Sequence, residues 1–261
     1  MDDKAFREIR EIEVELTAAC TRSCAFCTPG LPEGRRVRPK YLPLSRADML
    51  AKELTELRYA GWVTLCGWGE PTLASDLPVI LNILSELKGK TGTKIRLFTN
   101  GDTLQIESLD RDSSLRERTR GTWRGHPVDD LVVSVYDSGP GAQAIFDRMG
   151  YLSKVRIQDH RGRDPDSYST RAGNVKPYPP EYEVRLARRR HTPCEWFRTQ
   201  LFLTAEGHWV TCCNDMRQIH TWEGGVADLF SDPDYLAMRA ALADPAVDRR
   251  TLEPCAKCES A

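Results

Sequence analysis

Cys20, Cys24 and Cys27 stand in a CxxxCxxC run with Thr-Arg-Ser and Ala-Phe between them. Thiolates favour soft metals, which means zinc or an iron–sulfur cluster. A structural zinc site closes with four ligands, and no histidine or fourth cysteine adjoins this run to complete one. A cubane held by three thiolates keeps one iron open, and that iron can take a chelating substrate or cofactor. Buried structural cysteines would follow the 3.6 or 2 periodicity of an apolar face, which these do not. The spacing points to catalysis.

Six further cysteines remain: Cys66 alone, then Cys194, the adjacent pair Cys212 and Cys213, and Cys255 with Cys258 as CxxC. The start, Met1-Asp2-Asp3-Lys4, lacks the basic-then-apolar order of a signal peptide. A cytoplasmic chain keeps its thiols reduced, so metal ligation is expected in place of disulfides. No apolar run approaches the roughly 20 residues of a membrane span. The 37 basic and 38 acidic residues leave a net charge of −1, which argues against nucleic-acid and membrane partners. With 261 residues, 40% hydrophobic and 29% charged, one sizeable core with a small appendage is expected.

Alternating strand and helix signals place the first cysteines. Residues 9–16 read as a strand leading into the cysteine loop. Ser45 and Asp48 have capping-box spacing before an amphipathic helix marked by Met49, Leu50, Leu54 and Leu57, which Gly61 stops. Strands follow at 63–65, 95–98, 131–136 and 155–157, with helices at 77–87 (Pro78 in the first turn) and 142–149. This order implies a parallel sheet with right-handed crossovers, a partial (β/α)6 TIM-like barrel whose chemistry sits at the C-terminal strand ends.

The stretch 159–182 reads as loop and linker. The basic run 185–190 reads as a solvated face or a partner for local acids. A hairpin is expected at 201–211 around Glu206-Gly207, then a helix at 232–242. The boundary falls between 183 and 184, giving a barrel over 1–183 and a small unit over 184–261. That unit is too small to be stable without a staple, and its cysteines bracket it. Locally, four-cysteine zinc and an iron–sulfur cluster fit equally well.

The triad, with aromatic Phe26 before its last cysteine, resembles the radical SAM superfamily. Cys66-Gly67-Trp68-Gly69-Glu70-Pro71 after the second strand is similar to that family's Gly-Gly-Glu-Pro segment, with Trp68 as a departure. The resemblance implies a 4Fe–4S cluster on Cys20, Cys24 and Cys27 that binds S-adenosylmethionine. It also implies cofactor contacts from Gly67, Gly69, Glu70 and Pro71, with weaker signals at Asn100 and Ser134. Glu70 would receive the methionine ammonium or hold the loop. The terminal cysteines resemble the SPASM, or twitch, appendage, which implies a second 4Fe–4S cluster on Cys194, Cys212, Cys255 and Cys258, with Cys213 as the alternative to Cys212.

The layout is similar to the 2-deoxy-scyllo-inosamine dehydrogenase type of antibiotic biosynthesis. That likeness implies hydrogen abstraction from a carbinol carbon of a sugar or aminocyclitol, a ketone product and the auxiliary cluster as electron acceptor. A flavodoxin- or ferredoxin-type reductant would supply the first electron. Only 19 residues precede Cys20, which lowers the expectation of ribosomal-peptide modification. Arg171, in Ser-Thr-Arg-Ala-Gly-Asn, resembles a segment that holds a substrate hydroxyl or the cofactor carboxylate; Asn174 and Tyr168 rank below it. An epimerase is the rival reading and would use Cys66 or Cys213 as hydrogen donor. A metal-stapled binding module without catalysis is the remote one. The five histidines, His126, His160, His191, His208 and His220, have no ligand spacing.

Overall fold

The computed structural model describes residues 3–24, 39–103, 128–136, 155–161 and 181–258. A short helix α1 (Asp3–Arg7) precedes strand β1 (Glu11–Val14). Helix α2 (Leu44–Glu56), β2 (Trp62–Leu65), α3 (Leu77–Thr91), β3 (Lys94–Thr99), β4 (Asp130–Val135) and β5 (Val155–Asp159) follow. The C-terminal part holds α4 (Tyr182–Arg189), α5 (Glu195–Thr199), β6 (Gln200–Leu203), β7 (Trp209–Val210), β8 (Thr221–Trp222), α6 (Val226–Leu229) and α7 (Pro233–Ala243).

One sheet of order β5-β4-β3-β2-β1-β6-β7-β8 joins them, parallel from β5 to β6 and antiparallel beyond. Strand β6 was expected only as a hairpin arm. It also lies parallel to β1, with Glu11 opposite Gln200 and Val14 opposite Leu203. A three-residue apolar run suits a buried parallel strand as well as a hairpin arm, so pattern alone does not reveal the second partner.

Residues two apart on a strand share a face, and here the faces differ sharply. Ile12, Val14, Val63, Leu65, Ile95, Leu97, Leu131 and Val133 are buried in one cluster with Leu50 and Leu54 of α2 and Leu81, Leu84 and Leu87 of α3. The alternate positions carry Glu11, Glu13, Thr64, Arg96, Asp130, Ser134 and Gln158, with Trp62, Phe98 and Val132 as the apolar residues among them. Near the N-terminal strand ends this polar face is closed by ion pairs. Arg96 reaches Asp130 at 2.7 Å and Glu11 at 3.1 Å, and Arg156 reaches Asp130 at 2.8 Å. The C-terminal ends are left for the site.

Helix boundaries depart from expectation in two places. α2 begins at Leu44 behind Pro43, in extended conformation, and no side chain caps it. Ser45 therefore lies inside the first turn, because proline pre-sets φ for helix entry and supplies the boundary. The helix ends at Glu56 with Leu57 as C-cap, before Gly61 is reached. α3 runs past residue 87 to Thr91, where Gly92 at φ 79° caps it. At α7 the Asp232 side chain accepts the Tyr235 N–H. The basic run forms α4, and Arg190 pairs with Asp248 at 2.6 Å. The expected helix at 142–149 lies outside the described residues.

The C-terminal segments are welded to the barrel helices. Arg46 of α2, 8% exposed, donates to the Gly224 carbonyl at 2.6 Å and the Gly207 carbonyl at 3.2 Å. Glu53 accepts the Val226 N–H at 3.0 Å. Arg239 of α7 donates to the Phe197 and Arg198 carbonyls at 2.8 and 2.9 Å.

Candidate functional site

Three loops meet at the C-terminal strand ends. After β1 the chain runs through Glu15 and Thr17 to Cys20, Thr21, Arg22 and Cys24. The Cys20 Sγ accepts the Arg22 N–H at 3.4 Å and an Asn100 Nδ2–H at 3.7 Å. Donors aimed at a sulfur favour its anionic form, which is the form that ligates metal. Cys27 and Phe26 lie outside the described residues, as do Arg171, Asn174 and Tyr168. Among the described residues no three His, Cys, Asp or Glu side chains form a single-ion site.

The loop after β2 packs directly on this segment. Gly67 has φ 144°, and a Cβ there would lie 2.7 Å from Glu15 Cβ and Cγ. At Gly69 a Cβ would strike the carbonyls of Thr17 and Ala19. These glycines therefore let one loop approach the other, a use visible only once the strands are paired. Trp68 is buried between them. Its backbone N–H donates to Glu15 Oε1 at 3.1 Å, its Nε1–H donates to the Cys213 carbonyl at 2.6 Å, and its ring packs on Phe202 at 4.9 Å.

Glu70 holds the loop. Its Oε1 accepts the Thr72 hydroxyl at 2.6 Å and N–H at 3.2 Å, capping the 3-10 turn Pro71–Leu73. Its Oε2 accepts the Asn100 N–H at 2.7 Å, and its own N–H donates to the Ala19 carbonyl at 2.7 Å. One buried residue thus ties the three loops together, its carboxylate holding those after β2 and β3 and its backbone N–H the one after β1. Asn100 also donates to Thr21 Oγ1 at 3.0 Å, and its Oδ1 accepts the Asp102 N–H at 3.0 Å. Asp102 grips Arg22 at 2.5 and 2.9 Å and accepts from Thr21 at 2.6 Å. Burial raises the Asp102 pKa, but bonds from Arg22 and Thr21 outweigh it and hold the carboxyl below its ordinary value. The Arg22 guanidinium lies over the Tyr136 ring, which stacks on His160 at 4.9 Å. Ser134 donates to Gln158 at 3.4 Å on the polar face.

The second cysteine group gathers at the far side of β1. Cys194, Cys255 and Cys258 are buried and Cys212 is half-buried. Their thiols lie within electrostatic reach of one another around Cys212, which burial and these neighbours push well above its ordinary pKa. Burial, Cys194 and Cys258 push Cys255 up to about 12, against the opposing pull of Arg249. None of the eight described cysteines is in a disulfide. Four sulfurs are soft donors of the kind that ligates zinc or an iron–sulfur cluster. Cys66, next after β2, is pushed up by burial and by Glu13 and Cys213.

Comparison with known proteins now bears on this geometry. Residues 14–116 match the family model of the radical SAM superfamily. The matched stretch, less than half of the 261 residues, is similar to that superfamily. Its span takes in Cys20, Cys24 and Cys27 and the loops after β1, β2 and β3, and the family implies S-adenosylmethionine and a 4Fe–4S cluster. The chain is 28% identical over 173 residues to GTP 3',8-cyclase of Xanthomonas campestris pv. campestris (strain B100), covering 63% of this chain and 46% of that protein. It is 28% identical over 98 residues to the S-adenosyl-L-methionine-dependent 2-deoxy-scyllo-inosamine dehydrogenase of Niallia circulans, 38% of each chain. It thus spans less than half the length of these curated relatives. A crystal structure of BtrN in complex with AdoMet and 2-DOIA matches with a TM-score of 0.73 at 19% identity, over 96% of this chain and 92% of that one. BtrN in an open conformation gives 0.64. The chain therefore has the mixed α/β fold, with the parallel partial-barrel sheet, seen in BtrN.

Several site residues had no signal in sequence. Glu15 is 1% exposed, and its Oε2 also accepts the Ala205 N–H at 3.0 Å. It reads as one more polar residue in an alternating strand. Asp102 follows an Asn-Gly turn and Arg249 sits in an aperiodic tail, so only the tertiary partners reveal them.

Proposed function

We propose that this chain is a radical SAM oxidoreductase that converts a carbinol of a sugar or aminocyclitol-type natural-product intermediate to a ketone. The observation that carries this reading is the Trp68 bridge. It joins the loop beside Cys20 to the hairpin end bearing Cys212 and Cys213, so a second redox group would stand next to the first site. Full-length likeness to the BtrN fold and sequence similarity to the inosamine dehydrogenase support it. Cys20, Cys24 and Cys27 would hold a cluster that, with bound S-adenosylmethionine, would supply the hydrogen-abstracting chemistry. Cys194, Cys212, Cys255 and Cys258 would hold an auxiliary 4Fe–4S cluster able to accept the electron left after the hydroxyl proton departs.

The residues divide the work. Cys20, Cys24 and Cys27 hold the first cluster, and Cys194, Cys212, Cys255 and Cys258 the second. Gly67, Gly69, Pro71 and Asn100 shape the cofactor loop, and Glu70 keeps its three loops in register. The polar face with Glu13, Thr64, Ser134 and Gln158 offers hydrogen-bond partners to a hydroxylated substrate. Arg171 is assigned a substrate hydroxyl or the cofactor carboxylate. A flavodoxin- or ferredoxin-type reductant and a cytoplasmic setting belong to the same proposal. No helix among the described residues is long and apolar enough to cross a membrane.

Epimerisation is the second reading, favoured by Cys66, a half-buried thiol whose pKa is pushed up by burial, Glu13 and Cys213. A hydrogen-atom donor must carry its S–H. The reconstituted chain is to be screened anaerobically with aminocyclitols, sugars, short peptides and GTP. One ketone per 5′-deoxyadenosine from a polyol is expected. Carbon-bound deuterium from deuterated water without a ketone would move the assignment to epimerase, and turnover of only a peptide or GTP would sink both.

A further inference from the structure

Arg249 is 4% exposed, a depth at which a permanent cation is costly unless something anionic faces it. Its 3-10 turn, Arg249–Thr251, packs against the turn Cys255–Lys257. Its Nη1–H donates to the Thr192 carbonyl at 3.2 Å, two residues before Cys194. Its backbone N–H donates to the Arg190 carbonyl at 3.0 Å. The guanidinium lies close enough to Cys255 to oppose the rise that burial gives its pKa. The neighbouring carboxylate of Asp248 is gripped by Arg190 at 2.6 Å and Arg250 at 2.9 Å. The Arg249 charge is thus directed at both ends of the four-cysteine group, the approach to Cys194 and Cys255 itself.

We propose that Arg249 tunes the auxiliary cluster, raising its reduction potential so that it takes up an electron. This rests on the second cluster proposed above. A cubane with four thiolates is a dianion when oxidised and a trianion when reduced, so each added electron is stabilised by a buried cation in a low dielectric. Arginine suits the place because it stays charged and can serve Thr192 and Cys255 at once.

The test is an EPR-monitored redox titration of the full, reconstituted chain. In Arg249→Gln the auxiliary midpoint is expected to fall by at least about 59 mV, a tenfold shift in a one-electron equilibrium. The Cys20/Cys24/Cys27 cluster should keep its midpoint. Arg249→Lys, which keeps the charge but cannot span both partners, should fall between wild type and Gln. An unchanged auxiliary midpoint, or an equal shift in both clusters, overturns the proposal. If the Gln variant does not assemble, Arg249→Lys decides alone: a lowered midpoint supports the role and an unchanged one removes it. Wild type carrying only about four irons per chain would instead overturn the second cluster itself, before any variant is titrated.

Discussion

At the residue scale the site is governed by close approach and by charges that hold loops. Gly69→Ala puts a methyl group into the Thr17 and Ala19 carbonyls, which cannot retreat without moving the strand end. A loss of about 1–3 kcal/mol in urea unfolding is expected, with at least tenfold weaker S-adenosylmethionine binding by calorimetry. Asp102 sets an acid limb. Its depressed pKa means that its share of stability is complete above the ordinary carboxylate value and drains away as pH falls through the lower folded value. Melting temperatures of wild type and Asp102→Asn should therefore differ most above about pH 5 and converge toward pH 3. A constant gap would remove the ion pair from the explanation. The spacing of Cys20, Cys24 and Cys27 pointed to soft-metal ligation, and the Gly-Trp-Gly-Glu-Pro run was read from its resemblance to a family segment, its close packing on the Cys20 loop appearing only in the fold. Glu15 was not, since a carboxylate on an alternating strand looks solvated until its partners, Trp68 N–H and Ala205 N–H, arrive from residues far along the chain.

At the element scale the strand–helix alternation was readable because strands such as β1 and β3 alternate buried and partly exposed residues, β4 reads as a short apolar run, and α2 and α3 carry apolar stripes. What periodicity missed was which strands touch. Leu201, Phe202 and Leu203 announce a strand, but only the packed structure shows β6 beside β1, with Phe202 under Trp68. Pro43 displaced the expected cap at Ser45 because a fixed φ defines a helix start without any side-chain bond. The β2 loop and the β7 hairpin end depend on Trp68. Replacing it by Phe keeps the ring against Phe202 and deletes the donor to the Cys213 carbonyl. A cost of about 1–2 kcal/mol in urea is expected, with iron content unchanged. A neutral substitution would show that the two loops are held by packing alone.

At the scale of the whole molecule, one sheet runs from β5 to β8 and two buried arginines cross between distant segments. Arg46 fastens α2 to Gly207 and Gly224, and Arg239 fastens α7 to α5. Heat should unfold the chain in a single transition. Arg239→Met should lower that transition by about 2–4 kcal/mol of stability without splitting it, as differential scanning calorimetry would show. Two separated transitions would mean that the strands past β6 fold independently. In the proposed reading this scaffolding serves a cluster that three sulfurs would hold and a cofactor would complete. The decisive measurement is 5′-deoxyadenosine release, with iron content, from anaerobically reconstituted wild type and from Cys20→Ala, Cys24→Ala and Cys27→Ala. Wild type should hold about eight irons and cleave S-adenosylmethionine on reduction, and each variant should keep about four irons and release none. Undiminished release from any of the three would contradict an open iron held by that triad.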